Sequence, residues 1–156
     1  MNEYPANILV KVLYQEYPEI ARKVVLKVKE HIPDHTFTDY SQITEVVRLI
    51  SFCIGESVES LKNKDKSRKL SNDRRVLAVT LLKLYQPEIL SNLVNTNVNS
   101  SLIFGLQDIL QVSKKTAYHD MRVGRQHYHL YRDFRENVND LYTKIIYHYG
   151  KETRSC

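Results

Sequence analysis

Residues 102–131 read LIFGLQDILQVSKKTAYHDMRVGRQHYHLY. Leu106, Ile109 and Leu110 fall at helical spacing and predict a short helix. Gln111–Ser113 break the pattern, and Ser113 is placed to cap a longer helix beginning at Lys114. In that second helix Ala117, Met121, Gly124, Tyr128 and Tyr131 recur at i, i+4, i+7, i+11 and i+14, a stripe that must face a core. About a third of a turn round lie Lys115, Tyr118, Arg122, Arg125 and His129, with Lys114 and His119 flanking that face at its N-terminal end. A short helix, a tight break and a longer helix with a basic outer face make a helix-turn-helix. The second helix has what a recognition helix needs. Its first turn offers free amides to a phosphate, and its long basic side chains reach base edges.

Working outward, Phe134, Val138, Leu141 and Ile145 form one stripe of a further helix that covers the back of the pair. Upstream, a helix is predicted from about Asn72 to Tyr85, with Ser71 as its N-cap and Asp73 in the first turn. It is apolar nearly all round from Val76 to Leu82, so it belongs in the middle of a bundle. Val76, Leu77, Leu81 and Leu84 are its expected core. Pro87 closes it, and the polar stretch Ser91–Ser101, with four asparagines, reads as a loop or insertion. Leu102–Phe104 is ambiguous between helix and strand.

Nearer the N-terminus, a helix from about Tyr40 turns Ile43, Val46, Val47 and Ile50 inward and ends at Gly55, which suits a left-handed cap. Ser57 can cap a short turn holding Val58 and Leu61. Two amphipathic helices open the chain. The first uses Ile8, Leu9, Val12 and Leu13. The second starts at Pro18, uses Ile20, Ala21, Val24, Val28 and Ile32, and stops at Pro33. The expected organisation is an all-α helical bundle: a helical extension over 1–36, a helix-turn-helix domain over 37–150 and a tail over 151–156.

Net charge is +5 over 156 residues, unevenly spread. Residues 1–61 carry six basic and nine acidic side chains. Residues 62–75 carry seven basic ones (Lys62, Lys64, Lys66, Arg68, Lys69, Arg74, Arg75) against Asp65 and Asp73. The stretch 62–70 is almost free of apolar residues and reads as an exposed loop. A second concentration, Lys114, Lys115, Arg122 and Arg125 against Asp120, sits on the helix-turn-helix. Clusters of this kind attract phosphate backbones. The acidic balance of the first 61 residues disfavours a phosphate surface there. The expected role of residues 1–36 is therefore packing, on the domain, on a second subunit or on a replication protein, away from DNA.

Several classes are not expected. No apolar run approaches the ~18 residues of a membrane span, and no signal peptide opens the chain. Cys53 and Cys156 are too few for a disulfide framework, so a cytoplasmic protein with free thiols is expected. His127 and His129 point about 200° apart on a helix and cannot chelate one ion. No nucleophile–base set, carboxylate pair or phosphate-cradling glycine loop is present, so neither enzyme nor cofactor is expected. Most of the eleven tyrosines sit at core spacing or near helix ends.

Four blocks occur in order: ITEVVRLI at 43–50, VESLKNK at 58–64, KSRKLSNDRRVLAVTLLKL at 66–84 and GLQDILQVSKKTAYHDM at 105–121. Together they resemble the C-terminal DNA-binding domain of the bacterial replication initiator DnaA, a fold related to the Trp repressor. The resemblance covers about Phe37 to Ile146 and leaves out the initiator's ATPase domain. It implies double-stranded DNA binding, in replication initiation or its regulation. Ser67 and Arg68 match the basic-loop position from which the family sends an arginine into the minor groove. Arg74 matches a basic residue at the start of the central helix, and Thr116 and His119 match the threonine and histidine of the recognition-helix signature. The family's Asp-His-Thr triplet is here Ser113, Lys114 and Lys115. Its glycine-rich approach is Leu110–Gln111–Val112, and the stretch Pro87–Ser101 has no counterpart. The expected DNA contacts are Lys62, Lys64, Lys66, Ser67, Arg68, Lys69 and Arg74 from the basic segment. Ser113, Lys114, Lys115, Thr116, Tyr118, His119 and Arg122 complete them. The alternative is a protein-interaction module on the same scaffold that has lost DNA binding.

Overall fold

The computed structural model describes residues 4–32, 36–62, 67–91 and 97–154, with side chains through 150. Among these the chain is helical throughout, with no strand. No helix among them is long and apolar enough to cross a membrane. The chain divides into two compact units, Met1–Asp34 and His35–Cys156.

The first unit is a helical hairpin of α1 (Ala6–Glu16) and α2 (Pro18–His31), with Pro18 in the first turn of α2 as its fixed φ favours. Ala21 is the one described side chain of the hairpin that is buried. The expectation that Ile8, Leu9, Val12, Ile20, Val24 and Val28 pack inward is corrected, because each is 45–57% exposed.

The second unit is built around α5 (Arg68–Tyr85). Every side chain from Val76 to Leu82 is buried, as are Leu84 and Tyr85. α3 (Ile43–Ile54), α6 (Ser100–Leu110), α7 (Lys114–Leu130) and α8 (Arg132–Arg154) all pack on this rod, and the short α4 (Val58–Lys62) lies at its start. One buried polar group, the Thr80 hydroxyl, donates to the Val76 carbonyl at 2.7 Å and so carries no desolvation debt. Inward faces match the periodicity: Ile43, Val46, Val47 and Ile50 on α3, and Phe134, Val138, Leu141 and Ile145 on α8. Gly55 ends α3 at φ 87°, where its N–H reaches the Ser51 and Phe52 carbonyls. The Ser57 hydroxyl accepts from the Ser60 N–H at 3.0 Å and caps α4.

Several boundaries move. α5 begins at Arg68, a turn before the expected Asn72, and Ser67 rather than Ser71 holds the N-cap position. The extra turn gains an apolar contact, since Leu70 packs against the core. The Ser71 hydroxyl accepts from Arg74 at 3.1 Å and is engaged elsewhere. Arg68 and Lys69 are therefore helical, not loop. α6 starts at Ser100, capped by Asn99, whose side chain accepts from the Ser101 N–H at 2.8 Å, so Leu102–Phe104 is helix. The Gln86 side chain fastens this approach by donating to the Asn97 carbonyl and accepting from the Asn99 N–H. Tyr131 leaves the expected stripe. It is extended (φ −114°, ψ 117°) at the junction of α7 and α8 and 55% exposed, because the chain changes direction there. α8 runs through Arg154, so part of the expected tail is helical.

Candidate nucleic-acid interface

The turn between α6 and α7 is made by Gln111, Val112 and Ser113. Gln111 sits at φ 51° and ψ 44°, left-handed backbone in which glycine is the unstrained residue. Ser113 then starts α7. Its hydroxyl accepts from the Thr116 N–H at 3.1 Å and donates to the Thr116 hydroxyl at 2.9 Å. Both side chains are exposed but committed first to the cap.

The seat of α7 is made by Ala117, Asp120, Met121 and Gly124, all buried. At Gly124 a Cβ would lie 2.6 Å from the Val79 Cγ2 and 3.2 Å from the Arg75 carbonyl, so α5 passes as close as a missing side chain permits. Asp120 is the one acidic residue in that seat. Its carboxylate oxygens lie 3.9 Å from Arg74 Nε and 3.8 Å from Arg75 Nε. Burial pushes its pKa up, and the two guanidiniums pull the other way without cancelling the shift. Further along, Arg125 donates to the Ile89 carbonyl at 3.3 Å, and burial lowers its pKa. That side chain ties the helix to the segment after α5 instead of standing on the outer face.

The outer face is different. Lys114, Lys115, Thr116, Tyr118, His119 and Arg122 are all exposed. The Lys114 ammonium lies 6.0 Å from the Tyr118 ring centre, and Arg122 Nη2 lies 3.4 Å from His119 Nδ1. Among the described residues none of Lys114, Lys115 and Arg122 has a carboxylate within ion-pair reach. Lys115, Thr116, Tyr118, His119 and Arg122 border an open groove of about 870 Å³ that Asn97 and Val98 also line. A smaller cleft of about 360 Å³ lies where Lys62 and Arg74 meet Ser113 and Thr116. Thr116 lines both, so the two charge concentrations, far apart in sequence, meet at the start of α7.

The basic segment is less free than its composition predicts. Lys62 pairs with Glu59 at 2.8 Å. Lys69 pairs with Glu56 and, at 3.3 Å, with Asp73, and these carboxylates raise its pKa. The Arg74 side chain is 14% exposed and donates to the Leu61 carbonyl and the Ser71 hydroxyl, so it faces the interior of the fold. Ser67 and Arg68 are exposed at the start of α5. Lys64 and Lys66 lie outside the described residues. No cluster among the described residues could hold a metal ion. His127 packs edge-on against Tyr131 and Phe134, and burial lowers its pKa.

Sequence reasoning missed Asp120, Arg75 and the Asn97–Val98 wall. Asp120 had a signal, since it falls between Ala117 and Gly124 on the inward stripe. The wall had none, because its place depends on the Gln86 side chain. No protein family, no curated protein and no solved structure matches the chain.

Proposed function

We propose that this chain binds double-stranded DNA, with the outer face of α7 in the major groove and the start of α5 at the phosphate backbone. The observation that carries it is the set of three cations, Lys114, Lys115 and Arg122, on one exposed face without carboxylate partners among the described residues. Unpaired cations on a groove-sized helix are what a polyanion releases counterions to meet. At the capped end the first-turn amides of Lys114 and Lys115 are left for a phosphate, the Thr116 N–H being held by the Ser113 hydroxyl. Arg68 is the exposed cation nearest the basic segment's described end, and the resemblance to the DnaA C-terminal domain supports it as the minor-groove residue. That resemblance also supports a role in replication initiation or its regulation.

The internal pairing of Lys62, Lys69, Arg74 and Arg75 favours a second reading: the same scaffold as a protein-interaction module without DNA. Selection of duplexes from a random pool at two salt concentrations separates the two. A DNA-binding chain enriches duplexes at ~50 mM salt and loses affinity steeply as salt rises. No salt-dependent binding at the lower concentration would leave the interaction module as the reading.

A further inference from the structure

Within its own unit the N-terminal hairpin leaves most of its apolar surface uncovered. In α1 the polar side chains Asn7, Lys11 and Gln15 fall within about 80° of one another, and the remaining circumference is apolar except for Glu16 at the C-terminal end. A helix apolar over so wide an arc requires neighbours on more than one side. α2 is one neighbour, yet no residue of α1 is buried. On α2, Ala21, Val25 and Ile32 share one line. Ile20, Val24 and Val28, about 40–120° round by helical periodicity, form an apolar edge that stays exposed. Leaving aside Leu26 on the charged side of α2, ten large apolar side chains between Tyr4 and Val28 are each 45–65% exposed. At on the order of 100 Å² apiece they present roughly 1,000 Å². The largest apolar patch of an ordinary monomer is about 300–600 Å². One partner's share of a standard interface is about 800 Å².

We infer that the hairpin is a homodimerisation element, its apolar face packing against the same face of a second copy to make a four-helix bundle. Three features select a second copy over another occupant. The available area is about what one partner contributes to a stable interface. The face is rich in branched Val and Ile, which pack as core. Its charged rim carries both signs, with Arg22 paired to Glu19 at 3.4 Å and Lys27 to Glu30 at 2.9 Å, so it neither repels its own image nor calls for a strongly charged partner. A two-fold arrangement then covers the surface with an identical patch and leaves no open end for further growth.

The inference stands apart from the DNA reading, and its test contains no nucleic acid. Sedimentation equilibrium of the full chain at ~100 µM should give twice the 18.4 kDa chain mass. The exposed-face variant Val12→Glu/Val24→Glu should give the single-chain mass with helix content kept. Leu26→Glu, on the charged side of α2, should remain dimeric. In the unaltered chain, amide protection over 6–31 should rise with protein concentration while that of α5 does not, a readout that needs no variant to fold. A monomeric full chain at that concentration overturns the inference, and so does a double variant that remains dimeric. Concentration-independent protection of 6–31 also overturns it.

Discussion

Adding a single methyl to α7 tests how that helix is held. At an ordinary helical position Gly→Ala stabilises by about 1 kcal/mol, because alanine loses less backbone entropy on folding. At Gly124 the new Cβ lies 2.6 Å from the Val79 Cγ2 and 3.2 Å from the Arg75 carbonyl. Neither neighbour yields cheaply. Val79 is fully buried and its χ1 is restricted in a helix, and the carbonyl belongs to the backbone of α5. Overpacking of this kind costs about 1–3 kcal/mol, and two rigid contacts place it toward the upper end. Gly124→Ala should therefore destabilise by about 1–2 kcal/mol net, lowering Tm by roughly 4–8 °C for a unit of this size. The assay is thermal and urea unfolding followed by circular dichroism. In a Val79→Ala background the same change should cost nothing or stabilise, a coupling that a double-mutant cycle reads directly. A higher Tm for Gly124→Ala in the unaltered chain would refute the close approach of α5 and α7.

Leu81→Ala should cost about 2–5 kcal/mol in urea unfolding, since Leu81 is fully buried at the centre of α5. Asp120 should give a pH signature opposite to that of a salt-bridged carboxylate. Its folded pKa is raised above the ordinary 3.8, so its contribution is fully present below about pH 4 and is lost as pH rises through the folded value. The stability of the unaltered chain relative to Asp120→Asn should accordingly fall as pH rises above about 4, and a rise instead would contradict the burial argument. On DNA, Lys115→Ala should lose about 1–3 kcal/mol on a selected duplex and little on a scrambled one. Arg68→Ala should weaken selected and scrambled duplexes alike and reduce the salt slope by about one unit.

The parts of the fold legible in the sequence are those set by short-range periodicity. The unbroken apolar run Val76–Leu82 could only be a buried rod, and the α8 stripe from Phe134 to Ile145 could only face it. Ser113 and Gly55 declared their caps by residue type alone. What was not legible depends on partners distant in sequence. Helix α5 starts at Arg68 because Leu70 finds the core and Lys69 meets Glu56, a pairing no local pattern announces. Arg74 looked like a surface cation by composition, yet its guanidinium reaches Leu61, Ser71 and Asp120. The hairpin's amphipathic spacing was correct, but spacing states which face is apolar and not whether anything covers it.

Helix α7 divides its duties cleanly between its two sides. The residues that seat it (Ala117, Asp120, Met121, Gly124) and those facing outward (Lys114, Lys115, Tyr118, His119, Arg122) share no position. Exposed helical positions tolerate substitution at about 0.5 kcal/mol or less, whereas the seat does not. The outward set can therefore be rewritten by mutation, residue by residue or wholesale, while the body beneath it goes on folding as before. A lineage carrying this domain could change what α7 presents to solvent many times over without passing through an unfolded ancestor.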